Sequence, residues 1–133
     1  MIAMLLAATA LAAVQAEAAE RWNCDDPQYQ VEMNACAALD FERADADLNR
    51  IWPQLLADAR AADSEINPDD QRPREEEMLR RAQRAWIIFR DAHCTREGYE
   101  ARGGSMEPML YEGCRAQLTR QRIDQLQPPS AER

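Results

Sequence analysis

Four cysteines, a lone histidine and a few polar residues set among apolar stripes are the parts of this sequence able to do chemistry. Cys24, Cys36, Cys94 and Cys114 contain no C-x-x-C pair, and only His93 could join them as a ligand. A structural zinc site draws on closely spaced thiolates and imidazoles, so these spacings do not suit one. No metal or other cofactor is expected. In a small exported chain the same four thiols oxidise, and two structural disulfides follow. Three connectivities are open to four cysteines, and spacing alone does not choose among them.

Catalysis has little to build on. His93 neighbours Cys94, and no nucleophile, base and orienting group can be assembled around it from motif spacing. Paired carboxylates could in principle hydrolyse a glycoside, but an acidic helix offers many such pairs by chance. No catalytic residue is assigned, and the chain is read as a non-enzyme. His93 itself belongs near the end of the second helix, where a partial positive charge suits the helix dipole.

The polar residues within the stripes form a second group. Asp45 follows Phe41 by four positions and precedes Leu48 by three, which sets it at the edge of a buried face, with Asn49 one turn on. Gln83 and Arg90 flank Trp86 in the same way, as Arg122 lies beside Leu118. A half-buried carboxylate needs donors, and the guanidinium fork matches it. Asp45 is therefore expected to pair with Arg90 or Arg122, with Asn49 and Gln83 completing a network that sets helix register rather than carrying a reaction.

These residues need helices to position them. Asp25-Asp26-Pro27 marks a start, and the first helix is expected from Gln28 to Asp63. Its apolar stripe comprises Met33, Cys36, Ala37, Phe41, Ala44, Leu48, Ile51, Trp52, Leu55 and Leu56, and Pro53 is expected to bend it. The segment Ser64 to Pro73 reads as a loop. A second helix begins near Arg74, with Glu75, Glu76 and Glu77 favouring its positive end. Met78, Leu79, Ala82, Trp86, Phe89 and Cys94 make up its expected buried stripe, and Gly98 together with Gly103 and Gly104 ends it. A third helix runs from Pro108 to Leu126, burying Met109, Tyr111, Cys114, Leu118, Ile123 and Leu126. No alternating strand pattern competes. The expected fold class is all-α: a small antiparallel three-helix bundle with two disulfides. Cys36, Cys94 and Cys114 each fall on an apolar stripe at a similar level of such a bundle, so Cys24–Cys36 with Cys94–Cys114 is the expected pairing.

Composition bounds the partners. The 133 residues include 24 acids and 16 basic residues, all arginine, for a formal charge of −8. A chain this acidic, with dispersed arginines and few aromatics, lacks the basic stripe that nucleic acid requires. The acid is concentrated: Asp25 to Glu65 holds ten acids against three arginines, whereas Arg74 to Leu126 is nearly balanced. Residues 1–19 read as a signal peptide that is removed: an apolar run of signal length closes on small residues at Val14 and Ala16, with cleavage after Ala16, Ala18 or Ala19. The run is short for a membrane span, and Cys24 is poorly placed for lipidation, so no membrane anchor is expected. Residues 22–127 form one helical domain, and 128–133 a disordered tail. The destination is periplasmic or secreted.

The ordered set Asn23-Cys24, Glu32-Met33-Asn34-x-Cys36, Asp45-x-x-Leu48-Asn49, Gln83-x-x-Trp86, Arg90-Asp91-x-x-Cys94, Gly104-Ser105-Met106, Cys114 and Arg122 resembles the LprI-type lysozyme-inhibitor family across nearly the whole mature chain. The resemblance implies an exported, helical, cysteine-bridged protein whose partner is another protein, a lysozyme among the candidates. Inhibition would then work by occlusion, a protruding loop blocking a cleft that holds two catalytic carboxylates. The stretch Arg102-Gly103-Gly104-Ser105-Met106 is the insertion candidate, since it combines a cation, a hydroxyl and glycines. The solvent face of the first helix, with Glu42, Asp47 and Asp58, is the alternative surface. C-type lysozymes are generally basic, so an acidic inhibitor would be steered toward them. The competing role is that of a periplasmic accessory or assembly factor that does not inhibit lysozyme.

Overall fold

A computed structural model describes residues 21–127, so the segment read as a signal peptide and the tail 128–133 lie outside the described residues. Helix α1 spans Gln30–Ser64, α2 Glu75–Gly98 and α3 Glu107–Leu126, with a single 3-10 turn at Tyr99–Ala101. No strand occurs among the described residues.

α1 begins two residues later than expected, and Asp25 and Asp26 do not start it. The Glu32 carboxylate instead accepts the backbone N–H of Gln28 at 2.9 Å and of Tyr29 at 3.3 Å, an acid in the first turn reaching back to the entering chain. The physical reason is the Cys24–Cys36 disulfide, whose Cα atoms are 5.5 Å apart. Twelve residues of continuous helix would separate those atoms by about 18 Å, so the chain must double back before α1 can begin. Pro53 sits inside α1. It faces solvent, so water can take up the Asn49 carbonyl that loses its helical donor.

Between α1 and α2 the chain is tied by short side-chain turns: Asn67 Oδ1 accepts the Asp69 N–H, and Asp70 accepts the Arg72 N–H, both at 2.9 Å. The first turn of α2 is capped from α1. Asp63 accepts the N–H of Glu75 at 2.7 Å and of Glu76 at 3.0 Å, which places a carboxylate on the positive end of the α2 dipole. Arg60 of α1 then pairs with Glu76 at 2.8 Å.

These contacts set the direction of each helix. Asp63 meets Glu75 while Asp45 lies near Arg90, so α2 runs back along α1. Gln83 meets Arg122 and Cys94 bridges to Cys114, so α3 runs back along α2. Helices α1 and α3 are consequently parallel, as Asn34 near Ser105 and Asp40 near Arg120 require. The α1–α3 interface is the most extensive and α1–α2 the least. The bundle is therefore less a hairpin with an added helix than an α1–α3 pair with α2 laid against it.

The buried centre is built from small and medium residues: Leu39, Ala44, Leu48, Ile51 and Ala59 on α1, Cys94 on α2, and Cys114 and Ala116 on α3. The expected stripe of α2 requires correction. Met78 and Phe89 are 42% and 56% exposed, and the inward residues are Gln83, Arg90, Cys94 and Gly98. The Cys94–Cys114 bridge sets this rotation, with Cα atoms 5.4 Å apart. Arg90, one turn before Cys94, shares its face, whereas Phe89 falls about 140° around the helix. Gly98 also departs from expectation. Its backbone is helical rather than left-handed, and a Cβ there would lie 3.6 Å from Tyr111 Cβ and 3.4 Å from Glu107 Cγ, so it permits close packing of α2 on α3.

Candidate functional site

Two groups of residues stand out from the packing. The first lies where the three helices meet. Arg90 is buried, with a side chain only 6% exposed. Its Nε donates to Asp91 at 2.9 Å, one terminal nitrogen lies 3.4 Å from the Thr119 hydroxyl, and the same nitrogen is 3.9 Å from Asp45. Asn49 donates to Asp45 at 3.3 Å. Arg122 is separate from this group: it donates to Gln83 Oε1 at 3.0 Å and to Gln125 at 3.2 Å, and burial lowers its guanidinium pKa. The five polar positions singled out in the sequence therefore divide into Asp45–Asn49–Arg90 and Gln83–Arg122, with Trp86 between them. Trp86 lies 5.0 Å from the Arg90 guanidinium and 5.9 Å from that of Arg122.

Sequence spacing missed the partners that complete this group. Asp91 joins Arg90 to Arg115 of α3, whose Nε is 3.4 Å from the same carboxylate oxygen without forming an aligned hydrogen bond. Arg115 also pairs with Glu112 at 3.1 Å. Phe41 of α1 takes a guanidinium from each of the other two helices, Arg115 at 3.7 Å and Arg90 at 5.1 Å from its ring centre. Arg115 directly follows Cys114, and that adjacency to a bridged cysteine is the signal that could have marked it. Each member of the group is held by others within it, and the contacts link all three helices.

The second group is the turn between α2 and α3. Arg102, Gly103, Gly104, Ser105 and Met106 are all exposed, yet each end of the turn is tied. Gly103 holds φ at 77°, the left-handed region that an L side chain rarely adopts. Its N–H donates to Glu107 at 2.6 Å, and the Gly104 N–H donates to the Ala101 carbonyl at 2.8 Å. Asn34 of α1 donates to the Ser105 carbonyl at 2.8 Å. The Arg102 guanidinium lies over the Tyr99 ring at 4.2 Å, with Tyr99 itself partly exposed. The result is an exposed turn whose backbone is already ordered and which carries an arginine on an aromatic ring.

Residues 24–126, from the first disulfide to the end of α3, match the family model described as Lysozyme inhibitor LprI. The chain belongs to the LprI lysozyme-inhibitor family. An uncharacterized protein of Rhizobium meliloti (strain 1021) is 42% identical over 126 residues, covering 94% of this chain and 88% of the relative. No solved structure matches it. The LprI match takes in both disulfides, the three helices and the turn at Arg102–Met106. LprI proteins are described as inhibitors, and an inhibitor's chemistry is complementarity to a partner. His93 lies 3.4 Å from Glu97 and stacks on Phe89 at 5.3 Å. The nearby Cys114 sulfur is spent in a disulfide and offers no thiolate to a metal.

Proposed function

We propose that this protein inhibits lysozyme by seating the Arg102–Met106 turn in the substrate cleft of the enzyme. The observation that carries this reading is the combination of solvent exposure with a tethered backbone. The hydrogen bonds from Gly103, Gly104 and Asn34 order the turn before it meets a partner, so little ordering entropy is left to lose on binding. Arg102 over Tyr99 would present a rigid cation on the turn, the type of group that carries binding energy at protein interfaces. It suits a cleft holding two carboxylates. Family membership supports a lysozyme as the partner, and two disulfides suit an extracytoplasmic destination, the periplasm or the medium. The acidic surface of α1 would steer the complex together without being inserted.

The test is a turbidity assay with purified mature protein. Dose-dependent loss of lysis is expected with at least one lysozyme type, and a double substitution Arg102→Ala and Ser105→Ala is expected to weaken inhibition by about tenfold or more. No effect on any lysozyme type would leave the accessory role. Inhibition unchanged by the double substitution would move the binding surface to Glu42, Asp47 and Asp58 on α1.

A further inference from the structure

The charge of this molecule is not spread evenly, and its most unusual surface is the outward side of α2 beyond its acidic first turn. Helix α2 balances five arginines against five acids, but three of those acids, Glu75, Glu76 and Glu77, fall in its first turn, so that from Met78 to Arg96 five arginines accompany one acid. The same stretch holds four of the large apolar side chains left in solvent: Met78, Ile87, Ile88 at 71% exposure and Phe89 at 56%. Helical spacing groups them. Glu77, Arg81, Ala85, Ile88 and Ala92 follow one another at three and four along the outward side of α2, with Arg84 to one flank and Phe89 to the other. A solvent-facing helix surface normally carries charge and small polar groups, and clustered bulky apolar residues rimmed by cations mark a contact surface. Among the described residues Arg80 pairs with Glu76 at 3.0 Å and the buried Arg90 with Asp91 at 2.9 Å, which leaves Arg81 and Arg84 as the arginines of this face outside any ion pair.

We propose that the outward face of α2 docks on an anionic phospholipid bilayer. Such a surface supplies both things this face lacks, phosphate for the arginines and an acyl boundary for Ile88 and Phe89. The long arginine side chains can lay their stems along apolar surface while their heads stay at the phosphate level. A second copy of the chain fits poorly. Two α2 faces together would oppose Arg81 and Arg84 to their own copies, whereas α1 would bring acid but no large exposed apolar group near Glu42, Asp47 and Asp58. A basic lysozyme is repelled from this face and drawn to the acidic one. The acidic face of α1 does not prevent docking, because at physiological salt its repulsion is screened over about 8 Å. No helix described is long and apolar enough to cross a membrane, so contact would be peripheral.

The experiment is co-sedimentation of the mature, oxidised protein with vesicles of phosphatidylglycerol in phosphatidylcholine, and with phosphatidylcholine alone. Binding is expected to the first and not the second, and to decline as salt rises. Each of Arg81→Gln and Arg84→Gln is expected to weaken it about fivefold, and Ile88→Asp about tenfold or more. Ile88 is exposed, so its substitution leaves the fold intact, which unchanged circular dichroism verifies. Lysozyme inhibition is expected to be unaffected by Ile88→Asp, since the turn lies elsewhere. Absence of binding to phosphatidylglycerol vesicles would overturn the proposal and favour an acidic protein segment as the occupant. Equal binding by Ile88→Asp and the parent would overturn it as well, as would equal binding to neutral vesicles.

Discussion

At the scale of single residues, backbone conformation and charge pairing decide what each position tolerates. Gly103 is the clearest case. A Cβ there would meet nothing within 4 Å, so the whole penalty of a side chain comes from φ at 77°. Gly103→Ala is expected to lower stability by about 1 kcal/mol in urea titration, and, on the proposed mode of inhibition, to weaken inhibition by loosening the turn. Two carboxyls respond to pH in opposite directions. The side-chain hydrogen bond from Arg120 holds Asp40 below its usual value of 3.8, against burial, which raises it. Its stabilising contribution is therefore present above 3.8 and lost as pH falls through the lowered value. Asp40→Asn is expected to be less stable than the parent near neutral pH and to converge with it in strong acid, as read by thermal melts across pH. Glu112 is the reverse: burial raises its pKa despite Arg115. The folded state then holds its proton more tightly, and its contribution improves as pH drops through the raised value.

At the scale of elements, α2 is placed by a covalent link as much as by burial. Its interface with α1 is the thinnest of the three, and its outward side keeps Ile88 and Phe89 in water. The Cys94–Cys114 bridge spans a sequence separation of 20 around the 3-10 turn, and closing a loop of that length removes about 3 kcal/mol of unfolded-state freedom. Replacing both cysteines with alanine is expected to lower stability by about that amount and to raise hydrogen exchange in α2 more than in α1. The α1–α3 pair keeps its own tie through the Arg120–Asp40 bond at 3.0 Å. The periodicity of α1 was readable because Ala44, Leu48 and Ile51 alternate with charge on a long helix. In α2 the apolar residues Met78, Ala82 and Phe89 also recur at helical spacing, but they mark the outer side, and Gln83 and Arg90 mark the inner one. Periodicity finds a stripe without saying what lies against it.

At the scale of the whole molecule, charge separates into an acidic α1 and an α2 whose five arginines balance five acids, and a single net charge of −8 conceals the difference. For association with a basic enzyme the acidic side sets the encounter rate. If inhibition follows the proposed mode, its association rate in stopped-flow mixing is expected to fall by about tenfold as salt rises from low to physiological strength, with the dissociation rate nearly constant. A dissociation rate that changed instead would place the acids within the contact itself.

Helical composition, the loop at Ser64–Pro73, the turn at Arg102–Met106 and the family were all legible from residue types and their order, because each depends on local propensity or spacing along the chain. The cysteine pairing was expected from placement on stripes, and the 5.5 and 5.4 Å Cα separations agree with it. What a linear reading does not contain is rotation about each helix axis and the neighbour across each interface. Asp63 capping α2, Asp91 shared between Arg90 and Arg115, and Phe41 between two guanidiniums all join residues on different helices. Their geometry exists only once disulfide and packing constraints on three helices are met together, since many rotations satisfy one interface and few satisfy all three.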